Sequence, residues 1–139
     1  IEMAAAAAEL FIGQGIRTSL ETNGPDLLTK EAVCLKASCG AGHLDSIFRG
    51  LARIDLEKPA PSFEPIRERL EEMEDRESLC TIFFSADARP EFQQLLEKFR
   101  KEKREFIWFC PVNRIIRPEI NAGIRPYTRL IDVEEGGRL

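Results

Sequence analysis

The run Leu79-Cys80-Thr81-Ile82-Phe83-Phe84, followed after one helix-length by Phe106-Ile107-Trp108-Phe109-Cys110, decides the fold class. Both runs are short, continuous and apolar, rich in aromatic residues, the pattern of strands covered on both faces. Ser85-Ala86-Asp87 closes the first run. Between the two, Phe92, Leu95, Leu96 and Phe99 fall at i, i+3, i+4 and i+7, one stripe of a helix with Pro90 near its start. Pro111 is expected to stop the second strand, and Tyr127 to Val133 to form a last short one.

Towards the N-terminus the pattern alternates again. Five consecutive alanines, Ala4 to Ala8, favour a helix, with Met3, Ala6, Ala7, Leu10 and Phe11 as its expected apolar face. Gly13 and Gly15 end it. Ile16 to Thr22 reads as a strand, Asn23-Gly24-Pro25-Asp26 as a turn, and Ala32 to Ala37 as a second strand antiparallel to the first. Gly40-Ala41-Gly42 precedes a helix striped by Leu44, Ile47, Phe48 and Leu51. Lys58-Pro59-Ala60-Pro61 reads as an extended linker, and Ser62 as the cap of a helix faced by Phe63, Ile66, Leu70 and Met73. The order α-β-β-α-α-β-α-β, with a final strand, predicts an α/β protein: a mostly parallel sheet with helices on both faces.

Composition narrows the function. The chain has 139 residues, 43% apolar and 32% charged, with net charge −4. That is core enough for one domain, expected over 1–133, with 134–139 as a flexible tail. The charge balance argues against a broad nucleic-acid binder. Lys98, Arg100, Lys101, Lys103 and Arg104 lie beside Phe106 and Trp108, but an apolar run makes those rings core rather than base-stacking platforms. The acidic run Glu71 to Glu77 reads as a solvated helix face. No apolar run reaches the roughly twenty residues of a membrane span.

The cysteines, Cys34, Cys39, Cys80 and Cys110, include no Cys-x-x-Cys pair. Cys80 and Cys110 are expected to be buried free thiols of a cytoplasmic protein. His43 is the sole histidine and reads as structural, although its spacing from Cys39 would permit a nucleophile pair. Gly40-Ala41-Gly42 lacks the third glycine and the lysine of a phosphate cradle, so it reads as a plain helix start.

Three stretches together carry a resemblance: the alanine helix running into Gly15-Ile16-Arg17-Thr18-Ser19-Leu20-Glu21-Thr22-Asn23-Gly24, the segment Gly42 to Ile54, and Ser62 to Leu70 before the strand at Leu79. The chain resembles the C-terminal part of the MoxR-associated, von Willebrand factor A-like family, domain of unknown function fifty-eight, over about Ile1 to Val112. The resemblance implies a three-layer, Rossmann-like (von Willebrand A-like) α/β fold, truncated at the N-terminus. The family's first strand and its Asp-x-Ser-x-Ser metal loop would precede Ile1. It further implies a cytoplasmic, non-enzymatic protein–protein interaction module that assists a MoxR-type AAA+ ATPase in complex assembly. Mg²⁺ would belong to the full-length protein, with no cofactor in this chain and no catalytic residues. Ser62 falls at the family's Thr loop and Asp87 near its later Asp, an incomplete metal set whose plainer role is helix capping. A homodimer through open strand edges is expected, with neither nucleic acid nor membrane as partner of this segment. The alternative is a small α/β nucleotide-binding domain or enzyme using the loops after Cys39 and Phe84.

Overall fold

The computed structural model describes residues 1–57, 63–72, 79–113, 115 and 117–133. The expected linker Lys58 to Pro61, the cap at Ser62, the acidic run from Met73 to Glu77 and the tail 134–139 lie outside the described residues. The chain is mixed α/β and divides into two compact units, Ile1–Glu68 and Arg69–Leu139.

The first unit contains α1 (Glu2–Gly13), β1 (Thr18–Pro25), β2 (Ala32–Ser38) and α2 (Ala41–Ala52). β1 and β2 pair antiparallel, as expected. The turn begins only at Asp26, the last residue of the expected Asn23–Asp26 stretch. The register runs from Glu21↔Cys34 to Pro25↔Ala32, so β1 carries extra residues that bulge. Asn-Gly serves that bulge, and Thr22 Oγ1 fills the gap by donating to the Val33 carbonyl at 2.9 Å. The chain reverses instead at Asp26, whose Oδ1 accepts from Leu28 N–H at 2.7 Å and Thr29 N–H at 3.2 Å.

The core of this unit is Ala8, Ile12, Ile47 and Leu51, with Ala4, Ala5, Leu20, Leu35, Leu44 and Ile54 packed against it. The buried face of α1 therefore differs from the expected Met3/Ala6/Ala7/Leu10/Phe11 face, and Leu10 is exposed. An alanine-rich helix offers nearly equivalent sides, so its partners choose the one that packs. α2 lies so close to the hairpin that a Cβ on Gly50 would stand 2.8 Å from Val33 Cγ1.

α3 (Glu64–Glu72) spans the division between the units. The second unit contains β3 (Cys80–Phe84), α4 (Pro90–Lys101), β4 (Glu105–Val112), a 3₁₀ turn (Arg125–Tyr127) and β5 (Thr128–Asp132). The three strands form a parallel sheet in the order β3-β4-β5. All four residues of the α4 stripe, Phe92, Leu95, Leu96 and Phe99, are buried. Phe83 meets Phe92 and Phe99 edge-on at 5.7 and 5.6 Å, and Trp108 meets Phe92 at 5.1 Å.

Three strand readings are corrected here. β4 alternates: Phe106, Trp108, Cys110 and Val112 are buried, while Ile107, Phe109 and Pro111 are only half-buried. It is therefore covered fully on one face, not on both. Cys80 is exposed, because it opens β3 opposite the exposed Glu105, whereas Cys110 is buried in the central strand. All four cysteines are free thiols. Burial raises the pKa of Cys110, and burial with the Glu105 charge raises that of Cys80.

Pro111 does not stop β4, which continues to Val112. The Phe109 carbonyl accepts from Ser85 N–H at 3.2 Å, and that of Val112 from Val133 N–H at 3.0 Å. Residues 109 and 111 thus turn their peptide groups towards β3, which has ended at Phe84. The missing proline N–H falls beyond the neighbouring strand.

α1 and α4 end in the same way. Ile16 N–H donates to Phe11 O at 2.9 Å and Gly15 N–H to Ile12 O at 3.0 Å. Arg104 N–H donates to Phe99 O at 3.0 Å and Lys103 N–H to Arg100 O at 3.1 Å. Both are Schellman closures needing a left-handed residue, supplied by Gly15 (φ 77°) and by Lys103 (φ 57°). Lysine pays a steric penalty there that glycine does not. Lys103→Gly is expected to raise stability by about 1 kcal/mol, read as a higher midpoint in equilibrium denaturation. Gly15→Ala should shift stability the other way.

Candidate functional site

In parallel α/β sheets ligands sit at the carboxyl ends of the strands. In the second unit that edge is built by the β3–α4 loop, Ser85 to Arg89, and by residues 117–124 on the way from β4 to β5. The loop is tightly folded on itself. Ser85 Oγ accepts from Asp87 N–H at 3.1 Å, and Asp87 Oδ1 accepts from Arg89 N–H at 3.0 Å. The Arg89 guanidinium grips both carboxylate oxygens, Nε to Oδ1 at 2.9 Å and Nη2 to Oδ2 at 2.7 Å. That hydrogen bond, against the opposing effect of burial, holds the Asp87 carboxyl below its ordinary range.

Asp87 thus turns the chain before α4 and fixes Arg89, the residue preceding the helix. Its two oxygens are already engaged by a cation, so the loop as folded does not fit a Mg²⁺ cradle. Ser62, the other metal candidate, lies outside the described residues. Among the described residues no three His, Cys, Asp or Glu side chains come together as a metal-binding group.

A carboxylate whose pKa is depressed on folding contributes stability above its unfolded pKa and loses that contribution as pH falls through the folded value. Arg89 is largely exposed, so the pair contributes little. Asp87→Asn is expected to cost about 0.5 kcal/mol or less at neutral pH. The difference should shrink as pH falls below the ordinary carboxylate range and through the lowered pKa of wild-type Asp87, as read from paired denaturation curves across pH.

Gln93 is the residue sequence reasoning missed. It is buried on α4, and its amide bridges both parts of the edge. Nε2 donates to Ala88 O at 2.8 Å and to Glu119 O at 2.9 Å, while Oε1 accepts from Asn121 N–H at 2.8 Å. A glutamine beside an apolar stripe looks solvent-facing, and nothing local distinguishes it. The crossing segment also lies close along α4: a Cβ on Gly123 would stand 2.7 Å from Glu97 Oε1, and Ile124 is fully buried.

The loop after Cys39 belongs to the first unit. Gly40 precedes α2 with φ 94° and no side-chain cap. His43 Nε2 lies 2.6 Å from the Thr18 carbonyl, and the Cys39 thiol donates to the Gly15 carbonyl at 3.7 Å. The two side chains therefore make separate tethers to the start of the hairpin rather than the pair their spacing allowed.

The basic run is similarly dispersed. Lys98 pairs with Glu71, Arg100 with Glu97, and Arg104 is buried over Phe99. Phe106 and Trp108 are core residues, as expected. Among the described residues no helix is long and apolar enough to cross a membrane. Compared with protein families, curated proteins and solved structures, the chain shows no significant match.

Proposed function

We propose that this chain is a non-enzymatic protein–protein interaction module, the C-terminal part of a von Willebrand A-like domain that works with a MoxR-type AAA+ ATPase in complex assembly. The observation that carries the reading is apolar side chains exposed at one end of the first unit: Leu27, Leu28 and Leu56 are 47%, 72% and 75% exposed, on the two segments that the Asp26↔Ile54 bridge joins. Such groups at a surface favour association. The element order supports the kinship, with an antiparallel hairpin framed by helices ahead of a parallel strand–helix–strand unit. The free thiols support a cytoplasmic setting. Among the described residues neither sheet has a further strand beside the hairpin, β3 or β5, which supports a homodimer.

The test is co-sedimentation of the purified chain with a MoxR-type ATPase, with and without ATP. Co-migration supports the reading. Separate migration, together with thermal stabilisation by nucleotide alone, would favour the nucleotide-binding alternative and overturn it. A mass that remains monomeric over the whole accessible concentration range would sink the dimer.

A further inference from the structure

We propose that this chain self-associates through the outer edge of β2, which pairs antiparallel with the same edge of a second copy to make one four-stranded sheet. This names the interface of the homodimer in the interaction-module reading and rests on that reading.

The first observation is the direction of the peptide groups. The Glu31 carbonyl accepts from Asp26 N–H at 2.8 Å, that of Val33 from Thr22 Oγ1 at 2.9 Å and that of Ala37 from Arg17 Nη2 at 3.0 Å. Odd-numbered residues of β2 thus face β1. Peptide groups alternate along a strand, so Ala32, Cys34 and Lys36 turn theirs to the other edge. Pro25 opposite Ala32 agrees, since proline has no N–H to exchange there. Among the described residues no strand lies along that edge.

The second is the groove beside it. A cleft of about 360 Å³ lies between residues 32–35 of β2 and the α2 stripe Ser46, Arg49, Gly50 and Arg53. Consecutive strand residues line it, so it follows the strand's edge rather than one face. A lone strand would satisfy the edge and leave the α2 flank open. A second copy brings a strand and a helix together, extending the sheet and its helical layer at once. The lining carries both signs, Asp26 and Glu31 against Arg49 and Arg53, which suits a copy of itself better than a strongly charged partner. A two-stranded hairpin is marginal alone, and four strands are more stable.

The third is register. A two-fold axis through Cys34 sets Ala32 against the partner's Lys36, both turned outward, so each pair exchanges two main-chain bonds. On the α2 face Val33 meets the partner's Leu35, apolar against apolar. No like charges stand opposite, as they would with the axis on Lys36. The last strand, β5, is guarded instead: Arg129 Nη1 donates to the Thr128 carbonyl at 3.1 Å, and Asp132 pairs with Arg117. The seven residues of β2 fall short of the roughly 20–30 a side of a standard interface, so the expected dimer has a Kd of about micromolar.

The experiment measures the mass of the full chain across concentration, beside Lys36→Pro. Proline there removes an outward N–H and spares the bonds to β1. In a Cys39→Ser/Cys80→Ser background a short bismaleimide probes Cys34, whose Cα the register places about 5.5 Å from that of the partner's Cys34. The expected result is a concentration-dependent dimer, bridged through Cys34. Lys36→Pro should weaken it tenfold or more, with an unchanged circular dichroism spectrum, and abolish the bridge. A dimer that Cys34 does not bridge, or that a folded Lys36→Pro retains at wild-type affinity, refutes the β2 pairing and leaves the homodimer standing. A monomer that still co-sediments with the ATPase refutes the pairing and leaves the interaction module standing. A monomer that does not refutes both. Where Lys36→Pro does not fold, the Cys34 bridge decides.

Discussion

Replacing Trp108 with alanine is expected to remove about 3–5 kcal/mol of folding stability. The indole is fully buried in the central strand and packs edge-on against Phe92. Its loss would open a cavity between β4 and α4 that the neighbouring rings, already in contact with one another, can close only partly. A polar consequence adds to this. In a parallel ladder the bond after Ser85 N–H to Phe109 O would run from residue 111 back to the Ser85 carbonyl. Pro111 has no N–H to give. The Ser85 carbonyl instead accepts from Trp108 Nε1 at 2.8 Å. Alanine would orphan that acceptor at the end of the strand. Phenylalanine separates the two effects, keeping most of the volume while losing the donor, and should cost about 1–2 kcal/mol. Equilibrium denaturation measures both. A domain is stable by only about 5–15 kcal/mol, so the alanine variant should melt far below wild type. A Trp108→Ala chain with an unchanged midpoint would mean that β4 is not the centre of its sheet.

Arg104→Ala should be the next most damaging change, at about 2–3 kcal/mol. Arg104 closes α4 through its backbone and lays its guanidinium 3.7 Å from the Phe99 ring centroid. Nη2 donates to the Leu70 carbonyl at 3.3 Å. The side chain is buried, so its aliphatic stem contributes packing as well as charge. Alanine loses all three contributions. Methionine keeps the stem and should recover part of the loss. Because the group is shielded from solvent, the penalty should change little with salt, unlike that of an exposed ion pair. Denaturation midpoints at low and high salt check this. A penalty that vanishes at high salt would place the guanidinium at the surface.

Legibility in the sequence followed the strength of the local code. Phe92, Leu95, Leu96 and Phe99 announce α4 because bulky groups at helical spacing leave one face to bury. The alanine helix announces itself as a helix but not its face, since Ala4, Ala5 and Ala8 differ little from Ala6 and Ala7 until partners choose among them. Asn23-Gly24 signals a backbone irregularity correctly and its kind wrongly, because a bulge and a turn use the same conformational freedom. Pro111 suggests a stop, and whether it is one depends on where β3 ends, which is non-local. At the candidate site, Asp87 is legible as a residue that starts a helix, whereas its capture by Arg89 depends on how the loop folds back on itself. Gln93 was hidden because its partners lie on segments distant in sequence.

Cys110 gives the protein an internal clock. Its thiol is sealed in β4 and its pKa is raised by burial, while Cys34, Cys39 and Cys80 are exposed. An alkylating reagent should therefore consume three thiols in a fast phase and the fourth only as often as the parallel sheet opens. The slow phase would report the opening free energy of that unit when reclosing outpaces labelling, and the opening rate when it does not. The natural chain thus carries a reporter on sheet breathing.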